Sequence, residues 1–194
     1  MVWDADTLGS GIRIGSTLDN SNYPILVTYR INQGIYQSKW NGSGFTTSAI
    51  ATGAFGGSGR TLSINYLSGI HVFQSGTEGI IHWWDSAGTG TIKCDTPTTG
   101  TILPDAITST SRGSQIFLFY GVGSPADSSL AVKVWSSSGW ISDSLVVDGK
   151  TRDIHIGNIQ ALDRISTDKN FVPVFYYNSV TDSLYVNKVL ISAN

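Results

Sequence analysis

Six tryptophans occur among 194 residues, and three of them, Trp40, Trp84 and Trp135, close similar stretches of chain. A fourth, Trp83, stands beside Trp84. A flat indole face suits the apolar C–H face of a sugar ring, while Arg, His, Gln, Asn or Asp nearby can bond the hydroxyls. An indole also fills core, worth a few kcal/mol when buried, and for a single tryptophan that structural role stands ahead. For Trp83 and Trp84 together the balance reverses. Adjacent strand residues point to opposite faces, so both cannot lie inside a one-sided core. The polar side chains predicted on the same or the preceding strand are Gln37, His71, His82 and Arg30. The candidate ligand-binding set is therefore Trp40, Trp83, Trp84, Trp135, Gln37, His71, His82 and Arg30.

Other chemistry has weaker marks. A glycosidase needs two carboxylates across a cleft, but Asp19, Glu78, Asp127, Asp148 and Asp163 read as solvated turn residues. His71, His82 and His155 fall in different repeats, with no Gly-x-Ser-x-Gly nucleophile motif near them. No His or Cys cluster has metal-ligand spacing. Gly53–Gly59 lacks the lysine and following helix of a phosphate-binding loop, and Asp4-Ala-Asp6 is too short to argue for calcium. The expectation is no enzyme, no metal and no cofactor.

The elements that would position the tryptophans are short strands. Four hexads alternate aliphatic and variable residues with the period of a strand: Ile25–Arg30, Ile70–Ser75, Ile116–Gly121 and Val172–Tyr177. They recur at roughly the length of a four-stranded propeller blade. The step from the last hexad through the C-terminus to the first matches the others only if the chain closes on itself. A second strand follows each hexad: Ile35–Trp40, Ile80–Trp84, Leu130–Trp135 and Leu184–Val189. A strand precedes each as well, clearest at Ile12–Gly15 and Ile154–Gly157, and a fourth follows each tryptophan. The last repeat lacks its fourth strand, which Val2–Leu8 can supply, covering an exposed edge.

The expected fold is thus all-β, a four-bladed β-propeller of four-stranded antiparallel blades closed by pairing of the N- and C-terminal strands. The blades span about 10–55, 59–96, 103–148 and 153–194, the last completed by 1–8, in one domain. An eight-stranded sandwich or jelly roll predicts no cyclic repeat and ranks second. A ring shared between copies of the chain, a homo-oligomer, is the alternative to closure within one chain.

Charged residues make up 13% of the chain, with net charge −2, against about 25% in an average domain. With no Lys or Arg run, an electrostatic grip on nucleic acid or anionic membrane is not expected. One cysteine, Cys94, rules out an internal disulfide framework and reads as a small half-buried strand residue. No apolar run reaches the 18 or so residues of a membrane span, and no secretory leader is recognisable. A cytoplasmic protein, or one released without a recognisable signal peptide, is expected.

Ile70-His-Val-Phe-Gln-Ser-Gly-Thr-Glu-Gly-Ile-Ile-His-Trp-Trp-Asp85 resembles the repeat of fungal fucose-specific lectins of the Aleuria type. Trp40-Asn-Gly-Ser-Gly-Phe45 and Trp135-Ser-Ser-Ser-Gly-Trp140 look like the end of that repeat. The resemblance implies a propeller with saccharide pockets between blades, usually several per ring. The family's arginine position falls on Leu26, His71, Phe117 and Pro173, and its glutamate position on Gln37, Ile81, Val132 and Val186. Only the aromatic position carries over, onto Trp40, Trp84 and Trp135. The resemblance thus implies a lectin binding saccharides or glycoconjugates in several shallow junction pockets, with fucose specificity not carried over. A non-catalytic protein-binding or structural propeller of the hemopexin-like type is the alternative.

Overall fold

The computed structural model describes residues 13–30, 32–52, 62–76, 79–85, 92–99, 102–124, 127–141, 145–148, 160–161, 171–178 and 183–190. These form sixteen strands and no helix. The first sheet runs β1 (Arg13–Leu18), β2 (Pro24–Arg30), β3 (Gly34–Trp40), β4 (Phe45–Thr52), in that spatial order. The second repeats the pattern with β5 (Leu62–Tyr66), β6 (Ile70–Gly76), β7 (Gly79–Asp85) and β8 (Ile92–Thr99). The third has β9 (Ile102–Arg112), β10 (Gln115–Ser124) and β11 (Asp127–Ser136). Its fourth position is shared by β12 (Gly139–Trp140) and β13 (Leu145–Asp148), both paired with β11. The fourth sheet contains β14 (Gln160–Ala161), β15 (Phe171–Asn178) and β16 (Ser183–Leu190). Every pairing is antiparallel, and all but β11 with β13 join neighbours in sequence, the arrangement of hairpin-connected strands.

The four hexads are β2, β6, β10 and β15, the second strand of each sheet. The first strands form a row, with β1 against β5, β5 against β9 and β9 against β14. This close approach has a local cause at Gly15. A Cβ there would stand 2.3 Å from the Ile64 Cδ1 atom, so the two strands meet where one carries no side chain.

Three apolar layers lie between successive sheets. Ile25, Val27, Tyr29 and Ile35 of the first sheet pack on Ile70, Val72 and Trp83 of the second. Phe73 and Ile80 on the second sheet's other face meet Ile116, Leu118, Tyr120 and Trp135 of the third. Phe117, Phe119 and Val132 meet Val172 and Val174 of the fourth. Each middle sheet is therefore buried on both faces, which is why its strands lack a clean polar–apolar alternation. An all-β chain of successive antiparallel sheets, as expected, is what forms, four-stranded in the first two sheets. Closure through Val2–Leu8, the strand at Ile154–Gly157 and the residue His155 lie outside the described residues. Cys94, expected to be half-buried, is exposed.

Candidate functional site

Strand register decides which candidates share a face. His71 lies opposite Trp84 and Phe73 opposite His82 across β6 and β7, and His82 lies opposite Asp95 on β8. Cross-strand partners project from the same side. His71, Phe73, His82, Trp84 and Asp95 accordingly face the third sheet, whereas Trp83 faces the first and is buried in its core layer. The Trp83–Trp84 pair does split between faces, and only Trp84 is turned toward a cavity.

The spacing of Trp40, Trp84 and Trp135 suggested equivalent positions, and the register corrects this. Trp84 stands opposite the second residue of its hexad, Trp135 opposite the first, Ile116. A one-residue offset reverses the face. Trp135 therefore looks back at the second sheet, and the two indoles meet across one junction at a centroid distance of 6.2 Å and 64°. Trp40 remains on the first sheet, packed edge-on against Phe45 at 5.1 Å. Gln37 bonds Ser48 at 3.1 Å, and the Arg30 guanidinium lies 4.3 Å over the Tyr36 ring. Trp40, Gln37, Arg30 and Trp83 are not brought to the Trp84–Trp135 junction.

That junction opens into a cavity of about 440 Å³. The second sheet contributes His71, Trp84, Asp85, Lys93 and Asp95, and the third contributes Trp135 with the turn Ser137–Gly139. The Leu67–Ser68 segment between β5 and β6 closes one side. Neighbouring turns thus supply the polar rim, and strand interiors the aromatic wall.

Beneath the wall runs a line of polar groups. His71 Nδ1 meets His82 Nε2 at 3.0 Å. His82 Nδ1 meets Asp95 Oδ1 at 3.2 Å, and Trp140 Nε1 donates to Asp95 Oδ2 at 3.0 Å. At the other end His71 Nε2 lies 3.3 Å from the Leu67 carbonyl oxygen. The His82 ring is nearly parallel to those of Phe73 and Trp84, each with centroid 4.5 Å away. Both histidines are almost wholly buried, at 1% and 0% exposure. Burial pushes the His71 imidazole down to about 3, with the neighbouring His82 opposing a second charge. Burial likewise holds His82 below its ordinary value, against the pull of Asp95. Both rings are therefore neutral near pH 7.

Asp95, Trp140, Lys93 and Asp85 were missing from the candidate set. Asp95 sits in a Thr- and Pro-containing stretch with no motif around it, and only pairing with His82 gives it meaning. Trp140 did have a signal, since Gly139-Trp140 ends the quoted repeat. Among the described residues no three His, Cys, Asp or Glu side chains gather to hold a metal ion.

A second cavity of about 600 Å³ lies at the ends of β1, β5 and β9, lined by Asp19, Asn65, Tyr66, Ser109 and others. Its carboxylate is committed elsewhere. Asp19 Oδ1 accepts from the Ser21 and Tyr23 backbone N–H groups, each at 2.9 Å, and Oδ2 lies 3.2 Å from Lys39 Nζ. Those bonds, the Tyr23 one foremost, hold its carboxyl below the usual value.

No protein-family model matches the chain, and no curated protein matches it in sequence. Solved structures do match in fold. The lectin SapL1, determined in complex with alpha methyl fucoside, superposes with a TM-score of 0.57 at 12% identity, covering 91% of this chain. An alpha-L-arabinofuranosidase from Clostridium thermocellum, CtGH43, gives 0.54 at 10% identity over 93% of the chain. The catalytic domain of the Coprinopsis cinerea GH62 alpha-L-arabinofuranosidase gives 0.56 at 14% over 93%. The chain spans 65% of the lectin's length, 69% of the first enzyme's and 73% of the second's. What is shared at these identities is the fold. The expectation of no enzyme is thereby overturned: this fold carries two arabinofuranosidases as well as a lectin. The sequence argument failed because it required paired acids to be marked by a local motif, whereas a β-fold can bring them together from separate sheets.

Proposed function

We propose that the chain binds carbohydrate in the cavity between the second and third sheets, as a lectin-like module on a closed four-bladed ring. One observation carries the reading. Trp84 and Trp135 reach from adjoining sheets to form an aromatic corner, and the same cavity is rimmed by Asp85, Lys93, Asp95 and three serines. An indole wall takes the C–H face of a sugar, and the rim takes its hydroxyls. His71, His82, Trp84 and Trp135 are the members of the predicted set placed to act there, His82 through His71. The layers at the adjoining junctions are filled by aliphatic and aromatic side chains, Trp83 among them, so the reading concerns this one cavity rather than one at every junction. Sharing a fold with a fucoside-binding lectin and two arabinofuranosidases supports saccharide as the ligand class.

A glycan array followed by calorimetric titration tests this, with fucosides and arabinofuranosides heading the panel. Trp84→Ala should weaken binding about tenfold or more, whereas Trp40→Ala should leave it unchanged. Saccharide bound equally by both variants, or by neither variant nor the parent, refutes the site. A second reading is favoured by Asp85 and Asp95 at the rim of the same cavity, since glycoside hydrolysis uses two carboxylates. Recovering the titrated saccharide separates the two. Cleavage abolished by Asp85→Asn supports hydrolysis, and intact recovery supports binding alone.

A further inference from the structure

The line from Asp95 to Leu67 ends at the cavity, and its protons can be counted. Four ring nitrogens make three contacts: to Asp95, between the imidazoles, and to the Leu67 carbonyl. An ionised carboxylate and a carbonyl can only accept. Three contacts strung between two acceptors need three protons, but two neutral imidazoles bring two. One contact therefore lacks its proton. The carboxylate is the strongest acceptor and holds the His82 Nδ1–H. His82 Nε2 must then accept from His71 Nδ1–H. The contact left bare is the longest, His71 Nε2 to the Leu67 oxygen at 3.3 Å.

We propose that Asp95 and His82 hold the proton of His71 on Nδ1, so that its bare Nε2 and the Leu67 carbonyl oxygen, which face each other at the cavity lining, form a paired acceptor selective for a ligand that donates an O–H or N–H hydrogen. The proposal deepens the saccharide reading of this cavity and rests on it for the ligand class. A sugar hydroxyl can give its hydrogen to this pair, and an O-methylated or deoxy analogue cannot. Two lone pairs facing each other at this separation repel, and an arriving donor relieves that. Burial, which keeps both rings neutral, favours the two-proton state. The charged groups around the line are Asp85 on β7, Lys93 and Asp95 on β8, and Lys133 on β11. Lys133 is engaged with the Pro97 carbonyl oxygen. Trp140, donating to Asp95 Oδ2, turns Oδ1 toward His82. Asp95, His82 and Trp140 are thus positioning residues that act through His71.

The closing experiment reads the tautomers by NMR of the intact, ligand-free chain carrying ¹⁵N-labelled histidine, at pH 7. His71 and His82 should both be neutral and protonated on Nδ1. In Asp95→Asn the introduced amide can donate to His82 Nδ1 while its oxygen keeps the Trp140 bond. The line then reverses, with His82 Nε2–H donating to His71 and His71 Nε2–H donating to Leu67. All three contacts are satisfied in this variant, so the fold should be kept and both rings should read as Nε2–H. A wild-type His71 protonated on Nε2, a doubly protonated ring at pH 7, or unchanged tautomers in Asp95→Asn would overturn the proposal. With a saccharide in hand, the wild type should prefer the parent over its O-methylated analogue by on the order of 10- to 100-fold. Asp95→Asn should lose a similar factor toward the parent. Equal affinity for parent and analogue also overturns the selectivity. Tautomers as stated with no saccharide bound would uphold the proton line and sink the saccharide reading alone.

Discussion

Acidification should weaken this fold before its carboxylates begin to titrate, because His71 is buried as a neutral base. Its ordinary value of 6.5 is pushed down to about 3 in the folded state by desolvation, with His82 adding to the shift. The unfolded chain therefore takes up a proton below pH 6.5 that the native chain refuses until near pH 3. Stability from this residue is fully present above 6.5 and falls as pH drops through that window. Each pH unit below 6.5 costs roughly 1.4 kcal/mol, so His71 alone removes about 2 kcal/mol between pH 7 and pH 5. His82, held down for the same reason, adds to the slope. Over that range most carboxylates stay ionised in both states, since their ordinary values are about 3.9 to 4.3. The assay is urea unfolding followed by tryptophan fluorescence at half-unit pH steps, comparing wild type with His71→Phe. The variant starts lower, since His82 Nε2 loses its partner, but its stability should fall less steeply, by about one proton. Parallel pH dependences would show that His71 is not held neutral against titration, and the reasoning fails.

Two further outcomes follow from the first sheet. Asp19→Ala removes the acceptor of two turn N–H groups and should cost about 1–2 kcal/mol at pH 7. Because the folded carboxyl lies below its ordinary value, that cost is present at neutral pH and shrinks on acidification below about pH 4, which the same unfolding series would show. Gly34→Ala should cost more, about 3 kcal/mol or above. Residue 34 has φ +124°, and a Cβ there would lie 2.0 Å from the Ala51 backbone oxygen. A melting temperature within a few degrees of wild type would contradict the strand geometry at that turn.

The hexads at Ile25, Ile70, Ile116 and Val172 announced four second strands, because period-two alternation and turn residues are local signals. The split of Trp83 and Trp84 between faces was legible for the same reason. Which tryptophans meet was not. Trp84 and Trp135 are displaced by one residue relative to their hexads, a difference that sequence intervals hide and register exposes. Asp95 was invisible because it acquires its role from partners on another strand and another sheet, and Trp140, though part of the quoted repeat, shows its role only through Asp95. The polar partners Gln37 and Arg30 were chosen by strand position alone, and their sheet lies on the far side of the core layer that contains Trp83.

The third sheet shows what the second would look like without the polar line. Phe119 pairs with Val132 where Phe73 pairs with His82, and Phe117 faces the next sheet where His71 does. At that junction the residues form a plain apolar layer against Val172 and Val174. Replacing a buried polar network by apolar side chains of similar size is often neutral or stabilising, so folding alone gives no reason for two imidazoles at 0 to 1% exposure. The fold tolerates an apolar solution one sheet away, and the second sheet instead places hydrogen-bonded histidines beneath an indole wall. A site kept against that alternative is best explained by what it presents to the cavity, and the two acceptors at His71 and Leu67 are what it presents.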